Sequence, residues 1–523
     1  MTARKYLLVV IWVILIISTL LLHGQTIRRP LIGHHDLTNG LTLTVASIWE
    51  KEGIFTYFFA PVYSYTSDIN LKEGFGIPGR DGRMYYVSFP PGIHIMFYLL
   101  AKLLFLGINA TAIRIVSLML FIITCFLLYF HLSARYGQLA TLVGIGAFSL
   151  FPISAYFLGS LIMCDGIILS YWFLSFICFK KLVDKPNKLK YYLGFFVLIF
   201  IISFSVWMGL FLAAAVAILV LFFGKRFAWS LKYRMMFLAN LACYVVLSLV
   251  VTYLIFLNRI DQKVLYSQLL NRFLYRTNTS LFTQNTSASA DFFKNYYDKL
   301  VFHAGIGFGK YFYIVLPTVI FLLLLAIPFK IKLFKKNEFL LYFFFFLLSP
   351  LFHFVFLSNH LYEHDFAYLL IFFFITLIFV WSFNVSQEIV RKYAKKGAWS
   401  IALIIALVYI LIIPVTSING YKTYFADWIY FSDNYPKMWE TVRRNTNQHD
   451  LVITNYDSNA MMWYYLQRNV LGEMVGEDVV NFKNTYPKIE NIYYVSDGKL
   501  NAQVSCGGKP IIQKDMVYIC KLN

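Results

Sequence analysis

Charged residues, and acidic ones above all, are scarce in this sequence. Asp and Glu number 26 among 523 residues, and charged residues of both signs make up 14% of the chain. A soluble domain averages about 25% charged residues. Together with a mean hydropathy of +0.64, this shortage excludes an ordinary soluble protein for most of the chain.

Cysteines, a cleavage site and internal repeats are sparse or missing. The six cysteines do not together indicate a disulfide framework or a metal site. Their spacing leaves open whether Cys506 and Cys520 form a disulfide. No small-x-small cleavage site follows the first apolar run at residues 6–22, which favours an uncleaved signal anchor over a secretory signal. No internal repeat of the solenoid or transporter type is visible.

Apolar runs of about 17–25 residues, long enough to cross roughly 30 Å of hydrocarbon, recur along the chain. They predict an α-helical polytopic membrane protein with about eleven transmembrane helices. The predicted spans lie near residues 6–22, 110–130, 138–158, 166–179, 191–204, 207–223, 235–257, 311–329, 339–357, 367–385 and 400–417.

Basic residues cluster between these runs. Six clusters hold 20 of the 46 Lys and Arg residues and only three acids, Asp184, Glu338 and Glu388. Loops rich in Lys and Arg stay in the cytoplasm. This bias predicts a plasma (inner) membrane protein with a cytoplasmic N-terminus, an extracytoplasmic C-terminus and outer loops at 23–109 and 258–310. The net charge of +20 is then mostly topological, and no nucleic-acid partner is needed.

Residues 92–106 bear on the topology and residues 418–523 on the division into domains. Residues 92–106 are apolar but short and contain His94 and Lys102, so we expect a helix that lies on the outer face or dips into it. Residues 418–523 lose the apolar runs. The patterns there predict a helix over Ser458–Arg468 and strands over Asp450–Asn455, Asn491–Ser496 and Asp515–Lys521. We therefore expect a transmembrane domain over 1–417 and a small extracytoplasmic α/β domain over 418–523.

Asp36 follows the first span in the segment Gly33-His34-His35-Asp36. A carboxylate just outside the membrane can act as a general base toward a hydroxyl. The alternative is a helix cap, since Asp before Leu-Thr-Asn-Gly can begin a helix. Imidazole beside carboxylate also suits a divalent metal, so His35 is a candidate contact for a metal or an acceptor.

Two further acidic sites face the predicted outer side. Asp165 lies at a span boundary, where an acid is costly unless it is solvated or paired; a catalytic role and a helix cap are both open. His360, Glu363, His364 and Asp365 crowd the start of a later span. They are candidates for a metal or acceptor contact, although a hydrated interfacial loop is the more common outcome for such a cluster.

The loop 258–310 is basic although the topology places it outside. It holds seven Lys and Arg residues, Lys310 among them, against three acids. An anionic ligand at the outer leaflet, such as a lipid phosphate, would explain this excess. Attraction to phospholipid headgroups explains any single residue equally well.

The order of these pieces resembles the GT-C-fold membrane glycosyltransferases, in the branch of the protein O-mannosyltransferases and the bacterial aminoarabinose (lipid A) transferase. The resemblance rests on His34-His35-Asp36-Leu-Thr-Asn39-Gly40, on Phe89-Pro90-Pro91 before the surface helix, and on His360-x-x-Glu363-His364-Asp365. It covers roughly residues 1–420. The Trp-Trp-Asp motif of the oligosaccharyltransferases is absent.

The resemblance implies inverting transfer of a sugar from a polyprenyl-phosphate donor to a lipid, polysaccharide or protein acceptor. It implies catalytic roles for Asp36 and Asp165 as the first-loop and second-loop acids. The phosphate-contacting Lys that precedes the Pro in the aminoarabinose branch is missing, because Val87-Ser88-Phe89 stand there. We expect Arg80, Arg83, His94 or Lys310 to bind the phosphate instead. No cofactor is implied with certainty, and a divalent metal is left open.

Two other classes of protein compete with an enzyme. A transporter or flippase for a lipid-linked glycan would need polar residues deep in its spans, and the span centres are nearly all Leu, Ile, Phe and Val. A structural partner with a sensing outer domain would leave the first-loop acid without a role. The sequence therefore favours a glycosyltransferase.

Overall fold

The computed structural model of the chain is predominantly helical. It describes residues 3–31, 33, 35–66, 76–160, 167–277, 286–309, 312–332, 334, 337–394, 398–425, 434–454, 460–471, 489–496, 512–514 and 517–522. The predicted sites Asp165 and Lys310, the side chain of Glu363 and the cysteine Cys506 lie outside the described residues.

The helices before residue 310 begin at Ala3. They are α1 (Ala3–Ile27), α2 (Asp36–Glu52), α3 (Gly92–Leu103), α4 (Ala110–Tyr136), α5 (Gln138–Leu150), α6 (Pro152–Ser160), α7 (Leu169–Asp184), α8 (Leu189–Ser205), α9 (Met208–Phe223), α10 (Leu231–Leu257), α11 (Gln262–Arg276) and α12 (Thr286–Phe308). A short hairpin of β1 (Gly76–Pro78) and β2 (Met84–Tyr86) lies between α2 and α3 in the chain.

The remaining helices end the apolar part and enter the tail. They are α13 (Phe312–Leu324), α14 (Glu338–Phe343), α15 (Ser349–Phe356), α16 (Ser358–Glu363), α17 (Phe372–Ala394), α18 (Ala398–Thr416), α19 (Ile418–Tyr424), α20 (Asn434–Arg444) and α21 (Ala460–Leu466). The five strands of the tail are β3 (Leu451–Thr454), β4 (Asn469–Leu471), β5 (Ile492–Ser496), β6 (Ile512–Lys514) and β7 (Val517–Leu522).

Six helical segments among the described residues are long and apolar enough to cross a membrane, or seven if α5 and α6 form one span. The axis bends by 72° between α5 and α6, at Pro152, a residue that cannot continue the hydrogen-bond ladder of the preceding helix. Other predicted spans are shorter helices, for example α8 with 17 residues. The multispan character is thus supported, and the count of eleven stays a prediction.

The chain divides into two compact units. We call Met1–Arg28, Arg114–Val250 and Phe273–Ile429 the helical unit. We call Arg29–Ile113, Val251–Arg272 and Tyr430–Asn523 the loop-and-tail unit. In the helical unit, aromatic rings fill much of the interior, as where Phe148 stacks on Phe373 with ring centroids 5.6 Å apart.

The loop-and-tail unit has a mixed five-stranded sheet in the order β4-β3-β5-β7-β6. Strand β3 pairs in parallel with β4 and β5, whereas β7 is antiparallel to β5 and β6. The apolar side chains of Leu451, Val452 and Ile453 are buried in it. Cys520 in β7 is disulfide-bonded.

The tail and the first long loop share this unit. Helix α21 packs on α2, Trp463 stacks on Tyr63 with ring centroids 4.9 Å apart, and the Asn469 side chain accepts the Tyr65 backbone N–H at 3.2 Å. The α/β character of the tail is therefore present, and the predicted domain boundary at residue 417/418 stays a prediction.

Helix α3 has 12 residues, about 18 Å at 1.5 Å per residue, which is too short to cross the hydrocarbon. It begins directly after Phe89-Pro90-Pro91. Its C-terminal half is tied to the end of α2, because Lys102 Nζ pairs with Glu50 at 2.5 Å and the Tyr98 ring meets Trp49 edge-on.

Candidate active site

Asp36 is the first residue of α2, and its side chain is completely buried. The chain reaches it through His35, which has a left-handed backbone conformation with φ +59° and is half-buried. His35 holds the N-cap position and makes no side-chain cap bond. An acid in the first turn is favoured by the helix dipole, so the local sequence explains why the helix begins here.

Three hydrogen bonds from described residues fix the orientation of the Asp36 carboxylate. Arg29 Nη2 pairs with Oδ2 at 2.8 Å, the Gly33 backbone N–H donates to Oδ2 at 2.8 Å, and Asn39 Nδ2 donates to Oδ1 at 3.2 Å. Arg29 itself is 4% exposed. A buried ion pair of this kind persists only when its desolvation cost is offset by close contacts.

Gly33 is required by this arrangement. A Cβ atom at residue 33 would lie 2.4 Å from the Arg29 guanidinium nitrogens, so any larger residue would push the arginine away from the carboxylate. We call Arg29, Gly33, Asp36 and Asn39 the Asp36 cluster.

Arg83 and Arg80 lie around the β1–β2 hairpin. Arg83 Nη2 pairs with Glu52 at 3.0 Å, and its Nη1 donates to the Ser64 carbonyl at 2.9 Å. Arg80 is exposed, and its backbone N–H donates to the Arg259 carbonyl at 2.7 Å. Arg83 therefore connects parts of the fold, whereas the Arg80 side chain is directed to the surface.

His94 lies one turn into α3 and is completely buried, with its ring against Tyr86 at a centroid distance of 6.0 Å. Neither ring nitrogen has a hydrogen-bond partner among the described residues. Burial lowers the pKa of His94 to about 3. A neutral imidazole can donate a hydrogen bond to a phosphate, but it contributes no positive charge at neutral pH.

Arg272 is a basic residue that the sequence did not single out. It belongs to the predicted outer loop 258–310 and donates a hydrogen bond to the hydroxyl of Ser88, the residue before Phe89-Pro90-Pro91. Burial lowers the pKa of Arg272, and the nearby tyrosines Tyr86 and Tyr63 oppose this shift. We call Tyr63, Tyr86, Ser88 and Arg272 the Arg272 cluster.

The sequence pointed to the loop that contains Arg272 but not to Arg272 itself. The net charge of loop 258–310 predicted an anion there, but seven basic residues were equivalent by sequence. Arg29 was overlooked because it stands seven residues before Asp36, outside any local motif.

The helical unit contains a second group of candidates. The rings of His360 and His364 lie 4.7 Å apart, and His353 joins them at 5.4 Å from His360. Asp365 is buried and accepts a hydrogen bond from Tyr424 Oη at 2.8 Å. Burial and this carboxylate raise the pKa of Tyr424 well above its ordinary value.

This group does not present a metal site in the part of the chain that the structure describes. No set of three or more His, Cys, Asp or Glu side chains among those residues could hold a metal ion. His360 and Asp365 are instead buried, and His364 is half-buried, near the start of a candidate span.

Comparison with known proteins shows the fold. Neither a protein-family model nor a curated protein sequence matches the chain. Among solved structures, ArnT from Cupriavidus metallidurans bound to undecaprenyl phosphate matches with a TM-score of 0.57 at 10% identity, over 99% of this chain and 98% of that chain. Its apo state matches with a TM-score of 0.55.

A second relative by fold is the archaeal oligosaccharyltransferase AglB from Archaeoglobus fulgidus, in complex with an inhibitory peptide and a dolichol-phosphate. It matches with a TM-score of 0.51 at 11% identity, over 94% of this chain and 70% of that chain. Both proteins are membrane glycosyltransferases of the GT-C fold. The chain therefore has the GT-C fold, as the order of its sequence motifs predicted, and it resembles ArnT over its whole length.

Proposed function

We propose that the protein is a glycosyltransferase that moves one sugar from a polyprenyl-phosphate donor to an acceptor hydroxyl. The acceptor is a lipid, a polysaccharide or a protein at the extracytoplasmic face of the plasma membrane. The observation that supports this most strongly is the match, over 99% of the chain, to a GT-C structure that holds undecaprenyl phosphate.

Asp36 is proposed as the general base. In the transfer, the acceptor oxygen attacks the anomeric carbon, the bond from that carbon to the phosphate oxygen breaks, and the hydroxyl proton passes to the Asp36 carboxylate. The anomeric configuration inverts, and polyprenyl phosphate leaves with the bonding electrons. The Asp36 cluster supports this role because Arg29, Gly33 and Asn39 hold the carboxylate in one orientation, and positioning contributes to general base catalysis.

The Arg272 cluster is proposed to bind the phosphate of the donor. The Ser88–Arg272 hydrogen bond brings a cation to the residue before Phe89-Pro90-Pro91, where the sequence lacks the expected Lys. A guanidinium is well suited to phosphate oxygens, and its charge would stabilise the leaving group. Arg80 is proposed as a second, exposed cation, and Arg83 is proposed to hold the hairpin through Glu52.

The remaining assignments follow the family resemblance. Asp165 is proposed as the second catalytic acid and Lys310 as a further phosphate contact. His35, His360, His364 and Asp365, with Glu363, are proposed contacts for the acceptor. No step of this scheme is assigned to a divalent metal.

The test is a membrane assay with radiolabelled lipid-linked sugars prepared from the source strain. The wild type should transfer label to an acceptor and release polyprenyl phosphate, and Asp36→Asn should not. Movement of intact lipid-linked sugar across sealed vesicles without transfer would favour the flippase. Full transfer by a folded Asp36→Asn protein would contradict the proposed base.

A further inference from the structure

A cavity of about 620 Å³ in the helical unit is lined by basic side chains from three separate segments. Its cations come from the end of α4, from the segment after α13 and from the last turns of α17. These are Arg135, Lys330, Lys332, Arg391 and Lys392. Neither the Asp36 cluster nor the Arg272 cluster contributes to it, and we call it the basic cavity.

Acidic residues neutralise this cavity only in part. Among the described residues that line it, Glu388 is the single carboxylate, and it pairs with Arg391 Nη1 at 2.5 Å. Among the described residues, no acid pairs with Lys330, Lys332 or Lys392. Lys330 has a left-handed backbone conformation, φ +53°, at the turn that carries the chain from α13 past the cavity wall.

Arg135 has a fixed position in the wall. Its Nε pairs with Glu338 at 3.0 Å, and Glu338, 3% exposed, also pairs with Lys180 at 3.3 Å. Arg135 also lines a second cavity of about 500 Å³, whose walls combine apolar side chains such as Leu127 and Phe130 with charged ones such as Lys180 and Lys181.

The surroundings also favour a lipid over a soluble anion. Ile327 and Tyr393, which stand near the cavity walls in the chain, are 75% and 67% exposed, and Phe130 is 68% exposed. Large apolar side chains exposed at the ends of spanning helices contact hydrocarbon or the interface. The basic cavity therefore lies at the boundary where lipid headgroups reside.

We propose that the basic cavity binds the phosphate of an anionic membrane lipid. Basic pockets between transmembrane helices bind phosphate-bearing headgroups, and three lysines without acidic partners can each contact a phosphate oxygen. The competing explanation is that basic residues accumulate on this side merely because of the topology rule. That explanation predicts that all basic clusters of the chain contribute equally to binding of an anionic lipid.

The experiment uses the full-length protein, delipidated in detergent, and native mass spectrometry with dioleoylphosphatidylglycerol, dioleoylphosphatidylcholine and inorganic phosphate as probes. We expect selective retention of phosphatidylglycerol by the wild type. The variant Lys330→Ala/Lys332→Ala/Lys392→Ala should bind it about a hundredfold more weakly, since each lysine near an anionic lipid contributes about 1 kcal/mol. The matched control Lys188→Ala/Lys225→Ala/Lys232→Ala removes three exposed lysines outside the cavity and should keep wild-type binding.

The outcomes are distinct because all six lysines are exposed, so neither variant is expected to unfold, and melting temperatures verify this. Equal loss in both variants, or equal binding of the zwitterionic lipid, would overturn the proposal. If millimolar inorganic phosphate displaces phosphatidylglycerol, the cavity binds free phosphate and the lipid proposal is wrong. If phosphatidylglycerol stays bound in the presence of inorganic phosphate, the lipid proposal is supported.

Discussion

Two arginines of the loop-and-tail unit, Arg29 and Arg272, and the three lysines of the basic cavity have very different surroundings. Arg29 is 4% exposed and pairs with a carboxylate, and Arg272 is half-buried on a serine hydroxyl. Lys330, Lys332 and Lys392 are exposed and have no acidic partner among the described residues. A buried charge is costly unless it is held by specific contacts, whereas an exposed one costs little and contributes little.

The comparison shows that a count of basic residues in the sequence adds together two kinds of cation: buried arginines held by specific contacts, and exposed lysines without acidic partners among the described residues. Single substitutions of the buried arginines or their partners should have large effects, because each removes a built interaction. Exposed lysines should act only in combination. The predictions that follow test this difference, beginning with the largest expected effect.

Asp36→Asn should lower transfer by about a thousandfold or more, since general base catalysis contributes roughly 10²–10⁴-fold. The substitution also removes the negative charge beside buried Arg29, which should lower the free energy of unfolding by about 3 kcal/mol. The control is Arg29→Gln/Asp36→Asn, which removes both charges. This double variant should regain stability in a thermal melt and stay inactive; recovery of transfer would assign Asp36 a structural role only.

Arg272→Ala should weaken binding of undecaprenyl phosphate by about 10–100-fold, the loss expected for hydrogen bonds to a charged group. Arg272→Lys should keep part of the affinity, because it keeps the charge but not the planar fork. Binding by native mass spectrometry measures both effects.

The matched control is Arg83→Gln. This substitution breaks the pairing with Glu52, so it should lower the melting temperature while leaving lipid affinity within about twofold of wild type. A larger loss of affinity in Arg83→Gln than in Arg272→Ala would reverse the two assignments.

His94→Phe should make the protein less sensitive to acid. The pKa of His94 is lowered to about 3 in the folded chain, whereas it is about 6.5 in an unfolded one. Stability linked to His94 is therefore complete above pH 6.5 and is lost progressively as the pH falls toward 3. At pH 5 the loss is roughly 2 kcal/mol. Thermal melts at pH 7 and pH 5 should show a smaller decrease for His94→Phe; an equal decrease would contradict the neutral, buried state.

The smallest effect is expected for the basic cavity. Lys330→Ala/Lys332→Ala/Lys392→Ala should keep the transfer rate within about twofold of wild type, because exposed charges outside the active site interact weakly with it. Initial rates in the membrane assay measure this. A loss of transfer as large as that caused by Arg272→Ala would contradict the expectation that exposed cations contribute less than buried ones.

Much of the fold could be predicted because hydrophobic runs and turn residues act locally. The predicted strands and helix of the tail agree with β3, α21, β5 and β7. Strands β4 and β6 have three residues each, too few for an alternating pattern. The bend between α5 and α6 was missed because residues 138–158 are apolar throughout, although Pro152 marks its place.

The candidate site was only partly predictable, because its partners are distant in the sequence. Asp36 could be selected as an acid just past the first span. Its pairing with Arg29 and the Ser88–Arg272 contact, 184 residues apart in the chain, depend on tertiary structure. Likewise, the neutral state of His94 follows from burial, which no local pattern at Gly92–Leu103 indicates.

The central claim is tested most directly by the sugar composition of surface glycans in a deletion strain. We expect the strain to lose one sugar from these glycans and to accumulate a polyprenyl-phosphate-linked sugar in its membranes. The wild-type gene should correct both changes, and Asp36→Asn, expressed at the same level, should correct neither. Unchanged glycans and unchanged lipid-linked sugars in the deletion strain, or full correction by Asp36→Asn, would contradict the account.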